Sequence, residues 1–425
     1  MTMKKKVLIV GGGGREHALA WKLSQSEFVG EILCAPGNAG IEELCRCVAV
    51  SAEDVDGIVC LAEKEKPDLT VIGPEVPLTL GITDKLEALG LKVFGPNKKC
   101  AQLEASKSFT KAFLAKHDIP TAKYKEYIDA DALKKDIGIF GFPMVLKADG
   151  LAAGKGVIIA EDRAEAEKAV VELMESRVFG VAGEKVVVEE LLRGTEVSML
   201  CFVDESAIVP MESAQDYKRI GDGDKGPNTG GMGTYSPSLL FDEPLLDRVA
   251  EDILLKTLEG FIEDGLDFRG VLFIGLMLTE DGPKVIEFNN RFGDPETQSV
   301  LPRLESDLYE IMDAVCDNRL SELQIEWNEN LRAVTVVMAA GGYPGSYDKG
   351  DEILGLDDLP EGVIVFHAGT KRGENGEILT AGGRVLGVLG TGATHDLARA
   401  KAYEGVSKIN FKNVIFRKDI GIVYN

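Results

Sequence analysis

Apolar and polar positions along this chain fall into short blocks that keep switching period. Residues 5–10 (KKVLIV) end in an unbroken apolar run, which predicts a buried strand. A glycine turn follows, then helical spacing near 16–25 and a strand at 31–35. Further strands fit 68–72 and 92–95, with helices at 54–65 and 83–89. Strands alternating with helices predict a parallel, doubly wound sheet, which ends near GPN at 95–97. One helix is expected over 104–116, then a small α/β unit from about 122 to 190 that holds the strand KVVVEE. The segment 191–327 carries a helix at 243–264 and the strand pair GVLFIGLML and PKVIEFNN. From 328 the chain opens with strand RAVTVVMAAG, shows a hairpin signal at ENGEI (374–378) and closes with a helix near 395–408. The expected units are therefore 1–103, 104–121 with 191–327, 122–190, and 328–425. No internal repeat or low-complexity linker interrupts them.

A chain of 425 residues can build several domains with a large core. The net charge of −23, from 70 acidic and 47 basic residues, disfavours nucleic-acid binding. It leaves room for a small anionic substrate, because a few lysines can dominate one cleft. Seven cysteines are scattered, and Cys45 and Cys47 lack zinc or redox spacing, so reduced thiols in a cytoplasm are expected. The start, MTMKKKVLIVGGGGREH, briefly mimics a signal peptide. Four glycines and then Arg15, Glu16 and His17 cut its apolar run short, so export is not expected. No apolar stretch reaches the length of a membrane helix. Four isolated histidines without HExxH argue against a zinc enzyme.

Candidate chemistry begins at GGGGREH, 11–17. The dinucleotide fingerprint GxGxxG needs a third glycine where Glu16 or His17 stands, so that match fails. A tight turn and a phosphate contact both stay open there. PGNAG (36–40), GPE (73–75) and GPN (95–97) each follow a strand, on the carboxyl edge where open α/β sheets bind ligands. In FPMVLKADGLAAGKGVIIA (142–160), Gly154-Lys155 is followed by Gly156, so the Walker loop is absent. Lys147 instead ends a strand, where it can hold a phosphate as a point charge. Glycines in the loop beyond it let backbone amides approach phosphates, and a plain glycine-rich hairpin is the competing reading. VVVEELLRGTEVS (186–198) breaks at Glu189-Glu190, a strand end that can offer backbone groups to an adenine edge, with Glu196 near ribose hydroxyls. A solvated strand end is the plainer alternative. In VIEFNNRFGDPETQ (285–298), strand alternation puts Glu287 and Asn289 on one face, with Arg291 there too if the strand continues. A carboxylate and an amide oxygen so spaced can jointly hold Mg²⁺, and an arginine beside them can neutralise a phosphoryl group.

With these residues in hand, the sequence resembles the ATP-grasp superfamily and, within it, the phosphoribosylamine–glycine ligase family. The likeness runs along essentially the whole chain. It rests on VGGGGREHALAWKL, the GNAG and GPE loops, KADGLAAGKGV, QDYKR with GDKGPNTGGMG, EFNNRFGDPETQ, GGRVLGV and FRKDIG. The resemblance implies an ATP-grasp fold preceded by the doubly wound α/β domain, an α/β and α+β multidomain chain. It implies ligation of glycine to 5-phosphoribosylamine through glycyl phosphate, with ATP as co-substrate and Mg²⁺ or Mn²⁺. It places Lys107, Lys147, the Gly150–Gly156 loop with Gly154 and Lys155, Glu189, Glu190, Leu192 and Glu196 on ATP. Glu287 and Asn289 fall on the metal, and Arg291, Asp294 and Lys147 on the reacting groups. Gly13, Gly37, Asn38, Ala39, Gly40, Glu75, Asp216, Lys218, Gly231 and Arg291 fall on the other substrates. Two departures stand out. The strand VLFIGLML offers no acidic metal ligand, and Asn290 is polar where a small or apolar residue is expected, so it should point away from the metal. The implied protein is a cytoplasmic monomer that meets only small molecules, apart from transient contact with the enzyme supplying phosphoribosylamine. Another ATP-grasp ligase or carboxylase is the nearest rival, and a nicotinamide-dependent dehydrogenase is disfavoured by the failed fingerprint.

Overall fold

Five parallel strands open the chain, lying side by side in the order Arg46–Cys47, Val29–Pro36, Lys5–Gly11, Leu69–Ile72 and Val93–Phe94. The chain first winds to one side of Lys5–Gly11 and then to the other. The loops after Lys5–Gly11 and Leu69–Ile72 therefore diverge and leave a crevice at the carboxyl edge. The computed structural model describes residues 4–151, 156–176 and 180–422.

Both faces of this sheet are covered, as the unbroken apolar runs require. Leu8, Val10, Leu33 and Ile72 pack against the helices Val55–Glu65 and Ile82–Glu87. Val7, Ile9 and Val71 share a core with Phe202, Phe273 and the helix Leu308–Cys316. That core joins the first sheet to a second, antiparallel one, ordered Ile208–Pro210, Thr195–Val203, Gly270–Thr279 and Gly282–Asn289. The other face of the second sheet is covered by the helix Lys107–Lys116 and by residues of the helical stretch 243–264. A third, smaller sheet is also antiparallel: Tyr124–Tyr127, Val186–Glu190, Met144–Ala148 and Val157–Ala160. The segment that enters it runs along the edge strand of the second sheet. Val285 N–H donates to Pro120 O at 2.7 Å, and Thr121 Oγ1 donates to Val285 O at 2.6 Å.

Two expectations need correcting. The helix expected over 104–116 is two pieces, Gln102–Ala105 and Lys107–Lys116, broken at Ser106. Ser106 is extended, and its side chain accepts the Phe109 N–H, so it caps a new helix instead of continuing the old one. The last sheet also reaches back in sequence. Its order is Gln215–Asp216, Gly233–Ser236, Arg332–Ala339, Arg384–Gly392 and Val363–His367, so strand pairing crosses from the 191–327 segment into the tail. Periodicity cannot reveal such pairing, because it reports which face is buried and not which strand lies alongside.

The tail docks on the first domain through two buried histidines. His367 N–H donates to His17 Nδ1 at 2.7 Å, and Asn38 Nδ2 donates to His367 O at 2.7 Å. Burial lowers His17 from 6.5 to about 3 and His367 from 6.5 to about 4. The unfolded chain therefore takes up protons first as the pH falls below 6.5. Stability should be full above that value and fall by about 1.4 kcal/mol per pH unit per histidine down towards pH 4. Urea midpoints across that window check this, and His17→Gln should flatten the slope.

Candidate active site

The strand Gly282–Asn289 carries the residues on which the site is built, and a β-bulge aims them. Opposite Gly275 and Leu276 stand Glu287 and Val285, so Ile286 is an extra residue. Val285 and Phe288, three apart, both enter the core, while Glu287 and Asn289 take the other face. Without the bulge, Val285 would share the face of Glu287 and Asn289. Gly275 leaves room across the ladder, since a Cβ there would sit 3.3 Å from Glu287 Cγ. The strand stops at Asn289, so Arg291 reaches the site from the following turn and not from a continued strand. Asn290 turns away as expected, donating to Cys100 O at 3.0 Å.

Three lysines, one from a helix, one from a strand and one from a loop, act on Glu287. Burial would raise its carboxyl, but Lys218, Lys107 and Lys147 overcome that and hold it down to about 2. Lys107 opens its helix, and its neighbours are held by Asp149, which accepts from Ser106 Oγ at 3.0 Å and Ser108 N–H at 3.1 Å. Lys147 stands one residue before the end of the strand Met144–Ala148, not at its end as expected, its Nζ 2.9 Å from Glu189 Oε1. Lys111 Nζ lies 3.0 Å from the other oxygen of Glu189. Lys107, Lys111, Glu189 and Glu287 line one small cavity. Glu190 Oε1 accepts the Lys123 N–H at 2.9 Å, and Leu192 follows on the strand-free linker. Gly150 sits against Ala182, and Gly156 O accepts the Ala148 N–H at 2.8 Å, closing the base of the glycine loop. Gly154 and Lys155 lie outside the described residues.

A cleft of about 410 Å³ lies at the switch point of the first sheet, lined by Gly13, Arg15, Gly37, Glu75 and Asp294. The glycines here make room for Glu16. A Cβ on Gly73 would fall 2.0 Å from Glu16 Oε1, and the Gly13 N–H already donates to Glu16 Oε2 at 2.5 Å. Gly37 faces the cleft, but Asn38, Ala39 and Gly40 turn into the packing. Asn38 Oδ1 accepts from Gly40 and Ile41, and a Cβ on Gly40 would strike His17 and His367. Arg291 bridges towards the metal-type pair. Its Nη2 is 2.9 Å from Glu104 Oε1, its Nε is 3.5 Å from Glu75 Oε2, and Nη2 also reaches Asn289 Oδ1 at 3.5 Å. Asp294 accepts from Gln298 Nε2 at 2.9 Å and pairs with Arg384 at 3.5 Å. Burial works against its charge, but Arg384 and Arg15 keep it ionised below the ordinary range.

On the remaining side Lys218 forms an ion pair with Glu196. Asp216 Oδ1 is buried without a hydrogen-bond partner. Burial and the nearby Glu296 push the Asp216 carboxyl well up, and burial raises Glu296 as well. Gly231 forms the wall between them at φ +110°, where a Cβ would lie 2.4 Å from Pro295 Cδ and 2.9 Å from Asp216 Oδ1.

The sequence reading did not single out Lys111, Glu104, Arg15, Arg384 or Glu296. Lys111 was discoverable, since it sits one helical turn from Lys107 on the same face. The others become visible only when separate elements meet. Glu287 and Asn289 fit a hard divalent cation: an ionised carboxylate and a carboxamide oxygen, two residues apart on one strand face. Among the described residues no three histidine, cysteine or acidic side chains gather into a metal site. A cation held here would draw its other ligands from phosphates and water.

Two antiparallel sheets flank a lysine-lined carboxylate, a carboxamide and an arginine, and this arrangement defines an ATP-grasp enzyme. Residues 5–104, 105–297 and 333–423 match the N domain, the ATP-grasp (A) domain and the C domain of phosphoribosylglycinamide synthetase. The chain belongs to that family. It is 47% identical to a phosphoribosylamine–glycine ligase of Caldanaerobacter subterraneus over 99% of this chain and 100% of that one. It is 54% identical to the trifunctional purine biosynthetic protein adenosine-3 of Gallus gallus over 99% of this chain, which spans 42% of that longer protein. The crystal structure of phosphoribosylamine–glycine ligase from Thermotoga maritima matches with a TM-score of 0.85 and 36% identity, covering 97% of this chain and 99% of that one. A biotin carboxylase from Campylobacter jejuni shares the fold at 15% identity and a TM-score of 0.76, over 97% and 93% of the two chains.

Gly231→Ala should destabilise the protein by about 1–3 kcal/mol, through backbone strain and the collision with Pro295. It should also lower turnover, because Asp216 must shift. Chemical unfolding and steady-state rates measure both, and wild-type values in each would show that the wall yields.

Proposed function

We infer that this chain joins glycine to 5-phosphoribosylamine at the expense of ATP, giving glycinamide ribonucleotide, ADP and phosphate in purine biosynthesis. The convergence of Lys107, Lys147 and Lys218 on Glu287 carries the reading, in a chain related along its length to such ligases. A carboxylate does not acylate an amine in water, because oxide is a poor leaving group. Phosphorylating glycine supplies a good one, and the chain needs no covalent nucleophile for that. Positioning and charge neutralisation are enough.

Lys107 and Lys147 hold the outer phosphates of ATP, with Glu189, Glu190 and Leu192 along the adenine edge and Glu196 at the ribose. Glu287 and Asn289 would hold Mg²⁺ or Mn²⁺, and the cation would supply charge neutralisation for the phosphoryl group. Arg291 exchanges its carboxylate partners for the group in transfer, and Asp294, fixed by Gln298 and Arg384, lines that position. Asp216, Lys218 and Gly231 line the glycine side. Gly13, Gly37 and Glu75 line the cleft taken by phosphoribosylamine, with Asn38, Ala39 and Gly40 supporting the loop from behind. The glycine loop 150–156, of which residues 152–155 lie outside the described residues, is the segment we assign to cover ATP and keep water from the acyl phosphate. We assign working units at 1–103, 104–121 with 191–327, 122–190 and 328–425, a cytoplasmic location, a monomer, and transient contact with the enzyme supplying the unstable amine. No helix among the described residues is long and apolar enough to cross a membrane.

ADP formation with each substrate left out in turn tests the reaction. Release should need ATP, glycine and phosphoribosylamine together, and release with bicarbonate in place of glycine would point to a carboxylase. Lys147→Ala should abolish ligation while the melting curve stays cooperative; near-normal turnover would remove the phosphate assignment. Glu287→Gln should shift the Mg²⁺ titration to much higher concentration, and an unmoved titration would count against the metal pair.

A further inference from the structure

Lys111 has no part in the mechanism above, yet it is among the most deeply buried cations of the site, 2% exposed. Its ammonium is fixed from three sides. Nζ donates to Thr121 Oγ1 at 2.8 Å, lies 3.0 Å from Glu189 Oε2, and sits 5.9 Å from the centre of the Tyr124 ring. Thr121 Oγ1 in turn donates to Val285 O, so its lone pairs face Lys111. Glu189, 3% exposed, turns its second oxygen to Lys147 Nζ at 2.9 Å. Two ammonium groups therefore share one carboxylate, and the cluster carries one positive charge in excess.

The excess decides what the cluster can attract. A Lys147–Glu189 pair alone would be neutral, and a buried neutral pair draws a phosphate weakly. We propose that Lys111 is a positioning residue for the nucleotide: by holding one oxygen of Glu189 it leaves the Lys147 charge uncancelled and directed at the triphosphate. This rests on the reading of Lys147 as a phosphate ligand. The neighbouring charges agree. Lys107 and Glu287 line the same cavity as Lys111 and Glu189, so the surplus charge sits beside the place assigned to the phosphates. Lys111 also lies on the helix of the second sheet, whereas Glu189 and Lys147 belong to the third. The charge is thus set across the joint between the two.

The experiment is calorimetric binding of a non-hydrolysable ATP analogue and of adenosine, with Mg²⁺, to the full chain. Lys111→Met should weaken the analogue about tenfold or more and leave adenosine nearly unchanged, because the lost charge acts on phosphates alone. Lys111→Arg should keep most of the analogue affinity. The double variant Lys111→Met with Glu189→Gln should regain much of it, since Gln keeps the backbone assigned to the adenine edge while removal of the carboxylate's charge frees Lys147 again. A merely structural brace predicts the reverse for the double variant, and equal losses for both ligands. Unchanged analogue affinity in Lys111→Met, equal losses for both ligands, or a further fall in the double variant would each overturn the proposal. Should Lys111→Met fail to fold, Lys111→Gln keeps a hydrogen bond to Thr121 without the charge and carries the same expectation. Failure of the unaltered chain to bind the analogue would instead overturn the nucleotide reading itself.

Discussion

Charges buried together need partners within the chain, and this constraint shapes the whole site, with one ammonium left in excess where two lysines share Glu189. Glu189 answers Lys147 and Lys111, Glu196 answers Lys218, and Glu104 and Glu75 answer Arg291. Glu287 stands among the lysines and stays ionised despite its burial. Each pairing offsets a desolvation cost that would otherwise disfavour the fold. An incoming triphosphate or carboxylate competes with these internal carboxylates for cations already in place. The site is thereby organised before substrate arrives, which is what electrostatic catalysis requires.

The backbone makes that balance geometrically possible. One extra residue, Ile286, lets a single strand serve the core through Val285 and Phe288 and the site through Glu287 and Asn289. The same strand binds, at Val285, the segment that leads into the third sheet, through Pro120 and Thr121. Glu189, on the third sheet, thereby lines one cavity with Glu287. Asp149 adds a second tie by capping the helix that begins at Lys107. The elements that carry the phosphate lysines are thus held through the backbone as well as through their charges.

Much of this was legible in the residues. The strand and helix periods located the strands of the opening sheet other than Arg46–Cys47, the pair Gly270–Thr279 and Gly282–Asn289, and the last helix, but not Thr195–Val203, Arg384–Gly392 or the helix Leu308–Cys316. The quoted motifs singled out Lys147, Glu287, Asn289 and Arg291 as candidates. Misses occurred where local signals compete. Ser106 looked like helix interior, because a capping serine and a mid-helix serine differ only in which amide the hydroxyl meets. The GGGG turn left a tight turn and a phosphate contact both open, and the structure shows Glu16 filling the space its glycines create while Gly13 still lines the cleft. Asn38 was a candidate ligand group, and the structure shows both ends of its amide bonded to the backbone of the turn and to His367.

The sequence by itself determined the alternation of strands and helices, the doubly wound opening domain and the chemical character of the site, because each is written in local period and residue type. Only the tertiary structure decided which charges meet. Lys111 with Glu189, Arg291 with Glu104, His17 with His367, and the return of Gly233–Ser236 to the tail's sheet all join residues far apart in the chain. Such contacts follow from packing and strand order, to which a local pattern is blind.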